Sequence, residues 1–122
     1  IDNKKFLVKG REVRIENYYE GVAKFKFSEL CEKNIGGEDY IKIAEICDFV
    51  FIENVPKFDE ENRNAQQRFI TLIDIFYEKK IPLLISSNFH LDELGSSLSL
   101  REPFKRTKSR IYELTSPEIY TP

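Results

Sequence analysis

The hydrophobic pattern changes period along the chain, and each change marks an element. Residues 5–9 (KFLVK) form a short apolar run that Gly10 breaks. Residues 12–15 then alternate, with Val13 and Ile15 on one face, and residues 17–21 are turn-rich and carry Tyr18 and Tyr19. Residues 22–27 alternate strictly, with Lys24 and Lys26 between Ala23, Phe25 and Phe27. Period-two alternation puts one face in water and one in a core, which suits antiparallel strands. Residues 1–31 therefore read as a small antiparallel unit at a sheet edge, with Cys31 at a strand end.

The middle of the chain follows a different rule. The run Phe49 to Ile52 is closed by Glu53-Asn54 and by Pro56. It is too short for a long helix and rich in aromatic and β-branched residues, as in a strand buried on both faces. From Asp59, an expected N-cap, a helix runs to Lys79 and Lys80; Phe69, Leu72, Ile73 and Phe76 form its apolar stripe. Arg63, Gln66, Gln67 and Asp74 are expected off that stripe. Pro82-Leu83-Leu84-Ile85 is a second short apolar run, closed by Ser86-Ser87-Asn88. Strand, helix and strand make a βαβ crossover. The polar residues at its strand ends, Glu53, Asn54, Ser87 and Asn88, face the crevice where such sheets bind ligands.

The flanking segments complete an α/β fold. Gly36-Gly37 permits a turn, and Glu38 and Asp39 favour the start of a short helix delivering the chain to the first buried strand. The βαβ core spans 38–94. Residues 95–102 read as a mobile Ser/Gly-rich loop. Residues 103–116 predict a C-terminal helix, with Phe104, Ile111 and Leu114 inward and Lys105, Arg106, Lys108 and Arg110 outward. Pro117 ends it, and residues 118–122 are expected to fray.

Size and charge narrow the classes. With 122 residues the chain makes one domain large enough for a core without staples. Charged residues make up 33% yet nearly cancel, to a net charge of −2, so nucleic acid is not an expected partner. Cys31 and Cys47 lack metal-ligand spacing and read as core residues in a reducing compartment. No apolar run is long enough to span a membrane, and nothing resembles a signal peptide. The first residue is Ile1 and the sequence contains no Met, from which a domain cut from a longer protein is expected.

Candidate chemistry gathers at the two strand ends and on the arginines. An apolar strand followed by acidic residues has the Walker B pattern, in which carboxylates hold Mg²⁺ through water and polarise the attacking water. Glu53 has the first ability; Asn54, an amide, cannot act as a base. From this pair alone a simple polar strand end is the favoured reading. Asn88, after the second strand, matches the place of a γ-phosphate sensor, although Ser-Ser-Asn is also ordinary turn chemistry. Arg106 and Arg110 share a helical face, and Arg63 and Arg68 lie on the long helix. Arginines so placed suit phosphate contact, although a short charge run is usually a solvated face. His90, the sole histidine, reads as a loop residue. No GxxxxGK[ST] phosphate cradle occurs, so no metal or nucleotide is expected on this chain alone.

Five blocks together carry a resemblance: GVAKFKFSELC from Gly21, IGGEDYIKIA from Ile35, VFIENVP from Val50, RNAQQRFITLIDIFYE from Arg63, and Phe104, Arg106-Thr107, Ser109-Arg110-Ile111, Glu113-Leu114, Ser116 and Tyr120. In this order they resemble the C-terminal half of the AFG-one-like ATPases, a family that includes a bacterial cell-division ATPase and mitochondrial relatives. The resemblance implies a P-loop NTPase-like core whose Walker A, main Walker B and first sensor lie outside this region. It implies ATP and Mg²⁺ as cofactors of the full-length protein, and work on protein partners. Asn54 and Gln67 depart from an acidic residue and an arginine in the family pattern, which puts a second metal site in doubt. The retained Arg63, Arg68, Arg106 and Arg110, with Asn88, are the candidates for nucleotide sensing or subunit contacts; Glu53 and Asn54 are the Walker-B-like pair.

Two readings result. In one, the chain is the C-terminal portion of an ATPase, contributing sensing arginines and homo-oligomer or partner contacts through its C-terminal helix. In the other, it is a degenerate, non-catalytic interaction module. A nucleic-acid adaptor, suggested by the βαβ arrangement of replication-initiator ATPases, is a weaker third. The expected location is the bacterial cytoplasm, with membrane association through partners, or the mitochondrion in a eukaryote.

Overall fold

A computed structural model describes residues 2–115. Ser116, Tyr120 and the tail 118–122 lie outside the described residues. Five strands form one mixed sheet in sequence order. β1 (Asp2–Val8), β2 (Arg11–Tyr19) and β3 (Val22–Lys26) pair antiparallel. Each turn between them holds two residues at positive φ, Lys9-Gly10 and Glu20-Gly21. This is the backbone hand that lets a two-residue turn follow the twist of its strands. Tyr18 and Tyr19 thus end a strand instead of forming the turn.

β3 also pairs parallel with β4 (Phe49–Glu53), and β4 pairs parallel with β5 (Leu83–Ile85). The expected βαβ unit is therefore present, and β3 extends it on the other side. Gly21 helps set the β3–β4 junction. Its carbonyl accepts the Asp48 and Phe49 N–H groups, and a Cβ there would collide with the Asp48 carboxylate.

Cys31 sits in a helix, α1 (Phe27–Cys31), not at a strand end. At Phe27 the apolar spacing switches to i, i+3, i+4, bringing Phe27, Leu30 and Cys31 inward. The Glu29 carboxylate accepts the Lys26 N–H at 2.7 Å, which stabilises the first turn. Next, α2 (Gly37–Ile46) delivers the chain to β4, and α3 (Arg63–Glu78) crosses from β4 to β5. α3 starts later than its first acidic residues suggest. Asn62 takes the N-cap position, because Asp59 and Asn62 close a local turn: the Asp59 N–H donates to Asn62 Oδ1 and the Glu61 N–H to Asp59 Oδ1.

The last segment is α4 (Arg101–Thr115), preceded by 3-10 turns at Leu91–Glu93 and Leu98–Leu100. Residues 95–100 are held at several points. Gly95 bridges to Phe58, Leu100 is buried, and the Ser97 N–H donates to the Gln66 side chain at 3.0 Å. Gln66 is fully buried and does not lie off the stripe. Its Nε2 also donates to Ser96 Oγ at 2.7 Å, so the amide is satisfied in the interior.

The core joins Ala23, Phe25, Val50, Ile52 and Leu83 of the sheet to Phe69, Leu72, Ile73 and Phe76 of α3 and to Phe104, Ile111 and Leu114 of α4. Phe58 anchors it, with ring centroids 5.7 Å from Phe27, 5.7 Å from Phe69 and 5.3 Å from Phe104. β4 is not buried on both faces. Val50 and Ile52 are buried, whereas Phe49, Phe51 and Glu53 are only half-buried, because the helices pack on one side of the sheet. No helix among the described residues is long and apolar enough to cross a membrane.

Candidate functional site

The fold brings the two strand ends together. After β4, Asn54 turns the chain at φ 62°, a left-handed conformation that asparagine tolerates better than most residues. Its N–H donates to Ser86 Oγ at 3.2 Å, and the Val55 N–H to the Ser86 carbonyl at 3.0 Å. Ser87 Oγ donates to the Val55 carbonyl at 2.6 Å and accepts the Phe89 N–H. The serine hydroxyls are thus engaged with backbone and build the crevice mouth. Asn54 and Asn88 are exposed beside it. Glu53 lies 3.4 Å from Lys24 Nζ, so its charge faces a cation of the neighbouring strand.

The crevice thus offers one carboxylate paired with a lysine, two exposed asparagines and engaged serines. Three or more His, Cys, Asp or Glu placed to hold a metal are not found among the described residues. A polar groove of about 510 Å³ lies elsewhere, beside Arg68. Its lining includes Glu32, Asp59 and Glu61, an acidic surround of the wrong sign for a polyphosphate.

The four arginines are not convergent. Arg63 Nε donates to Ser99 Oγ at 2.7 Å. Arg68 donates to the Cys31 and Lys33 carbonyls at 3.2 and 3.1 Å, tying α3 to the end of α1. Only Arg106 and Arg110 meet, and they do so at Asp74 of α3. Arg110 Nη1 lies 2.5 Å from Asp74 Oδ1, with its guanidinium 4.5 Å from the Tyr77 ring centroid. Arg106 Nη2 is 3.9 Å from Asp74 Oδ2, and its side chain is 58% exposed against 22% for Arg110. Arg110 is thus a clasp between two helices, whereas Arg106 is available to a ligand or a neighbour.

Two features escaped the sequence reading. Asp39 is only 2% exposed; it accepts the Gly36 N–H at 2.7 Å and the Arg11 guanidinium at 2.7 Å. The carboxylate three residues after Gly36 signalled the first bond, but nothing local signalled the second. Gln66 is the other, and its burial follows from a loop 30 residues away. The cysteines are unreactive by environment: burial pushes both the Cys31 and the Cys47 thiol up to about 12.

The sequence profile of the AFG1-like ATPases matches residues 2–121. The chain belongs to the AFG1-like ATPase family. Among AFG1-like relatives it is similar to lactation elevated protein 1 homolog B of Danio rerio, 39% identical over 87 residues, or 71% of this chain and 17% of the relative. It is also similar to the cell division protein ZapE of Escherichia coli K12, 32% identical over 92 residues, or 75% of this chain and 24% of ZapE. A Schizosaccharomyces pombe protein is 30% identical over 85 residues, covering 70% of this chain and 19% of its own length. The chain thus spans a quarter or less of these relatives. No solved structure matches it.

Proposed function

We propose that this chain is the portion of an AFG1-like ATPase that supports a nucleotide site whose phosphate-binding loop lies in another part of the protein. The match over residues 2–121 carries this reading. ATP and Mg²⁺ are the cofactors of the whole protein, and its hydrolysis drives work on protein partners, in the bacterial cytoplasm or the mitochondrion. Arg106 is the residue of this chain best suited to reach the nucleotide or a neighbouring subunit, because it is the most solvent-facing member of the α4 pair. Arg63, Arg68 and Arg110 serve the packing of α3, since each has a partner within the chain. The test is ATP hydrolysis by a full-length family protein containing this segment, with Arg106→Ala compared against the parent. A several-fold loss of rate at unchanged thermal stability supports the reading, and an unchanged rate removes Arg106 from it.

The internal commitment of three arginines favours one second reading: an interaction module without a part in the chemistry. It predicts that all four charge-removing substitutions leave hydrolysis unchanged wherever the protein still folds.

A further inference from the structure

Asp74 serves two arginines unequally. Its Oδ1 lies 2.5 Å from Arg110 Nη1, and its Oδ2 lies 3.9 Å from Arg106 Nη2. Arg110 is fixed from a second side, with its guanidinium 4.5 Å from the Tyr77 ring centroid. Tyr77 is in turn held by Glu113, whose hydrogen bond raises the tyrosine pKa above its ordinary value. Arg106 has only the longer contact, beyond direct hydrogen-bonding distance. The acid one turn before it on α4, Glu102, is paired with Lys105 at 2.8 Å. Two guanidiniums at i, i+4 repel each other, so Asp74 is what lets Arg106 rest beside Arg110. An anion that draws Arg106 away breaks one long, solvent-screened contact. No carboxylate is then left uncompensated: Oδ1 stays with Arg110, and Asp74 is 34% exposed, enough for water to take the place at Oδ2.

We infer that Asp74 is the positioning residue for Arg106: it parks the guanidinium against α3 and yields it to a phosphate of the nucleotide, while Arg110 keeps the carboxylate compensated in both states. A nucleotide phosphate carries more charge than a carboxylate and takes a guanidinium bidentately, so it competes well for an arginine held this loosely. The inference deepens the nucleotide reading and rests on it. Asp74 opposes the phosphate on two counts. It holds the guanidinium, and its own charge lies beside the approaching anion. Removing that charge therefore strengthens nucleotide binding, whereas losing a merely structural contact would weaken it or leave it alone.

Steady-state hydrolysis over a range of Mg-ATP concentrations, with kcat and KM read separately, tests it in a full-length family protein containing this segment. Asp74→Asn keeps an oxygen for Arg110 and removes the charge. It should lower the KM for ATP by about two- to fivefold, the range spanned by an exposed ion pair. The same substitution beside Arg106→Ala should leave KM where Arg106→Ala alone puts it. Asp74→Glu keeps the charge and should return KM toward the parent value. A KM that rises in Asp74→Asn, or that shifts equally with and without Arg106, overturns the inference and leaves Asp74 as packing between α3 and α4. An unchanged KM in Asp74→Asn, with hydrolysis still slowed by Arg106→Ala, overturns the parking role and leaves the nucleotide reading standing. Kinetics unchanged by Arg106→Ala remove both. A change of oligomer size in Arg106→Ala at unchanged KM assigns the arginine to a neighbouring subunit and also overturns the inference.

Discussion

Arg110 and Arg106 share one carboxylate, and their different geometries predict different losses. Arg110→Ala removes a guanidinium 2.5 Å from Asp74 and 4.5 Å from the centroid of Tyr77. A hydrogen bond between charged groups contributes about 1.5–3 kcal/mol when well buried. Asp74 is about one third exposed, so solvent screening cuts this contact to about 1 kcal/mol. The guanidinium over Tyr77 adds about 0.5 kcal/mol at such a half-exposed site. The total is about 1.5 kcal/mol. With an unfolding entropy of about 2.1 cal/mol/K per residue over a chain of this size, that is a fall in Tm of about 6 °C. Arg106→Ala, at 3.9 Å and 58% exposed, costs about 0–0.5 kcal/mol by the same reasoning. Thermal unfolding followed by circular dichroism, with Asp74→Asn closing a double-mutant cycle for each arginine, reads the difference. Equal losses for the two arginines, or no coupling between Arg110 and Asp74, would refute the helix-clasp assignment.

Asp39→Ala leaves the Gly36 N–H and the half-exposed Arg11 without their acceptor, at a cost of about 2 kcal/mol and about 8 °C in Tm. Asp39→Asn should recover part of this by keeping an acceptor for Gly36; urea midpoints of both variants check the order. At Asn54, φ 62° makes Asn54→Gly nearly neutral and Asn54→Val destabilising by about 1–2 kcal/mol. Equal stability of the glycine and valine variants in urea would show that this turn carries no conformational constraint.

The elements with strong periodicity were legible from sequence alone. The stripe of Phe69, Leu72, Ile73 and Phe76 is buried as its spacing requires, and the alternation of Ala23 and Phe25 with Lys24 and Lys26 gives a strand with one wet face. The misreadings arise where distant residues or a competing local turn decide. Gln66 is polar at a position that a helix alone would leave outside, and only Ser96 and Ser97 explain its burial. The α3 start moved to Asn62 because side chains of Asp59 and Asn62 compete with the helix for their own backbone. β4 has the composition of a doubly buried strand, yet only Val50 and Ile52 are fully buried.

The strand ends bear on function through the same logic. Acidic-polar residues after β4 and Ser-Ser-Asn after β5 lie side by side, as expected of a binding crevice in an α/β sheet. The Ser86 and Ser87 hydroxyls, however, are engaged with backbone and Glu53 faces Lys24, while Asn54 and Asn88 are exposed. The α4 face differs: there Arg106 remains extended into solvent while Arg110 locks the helix beneath it. A rigid helix fixes where that charge is presented, while the exposed side chain itself still loses rotamer freedom on meeting an anion. That asymmetry is why Arg106, and not Arg110, is the arginine on which the proposed nucleotide or subunit contact is tested.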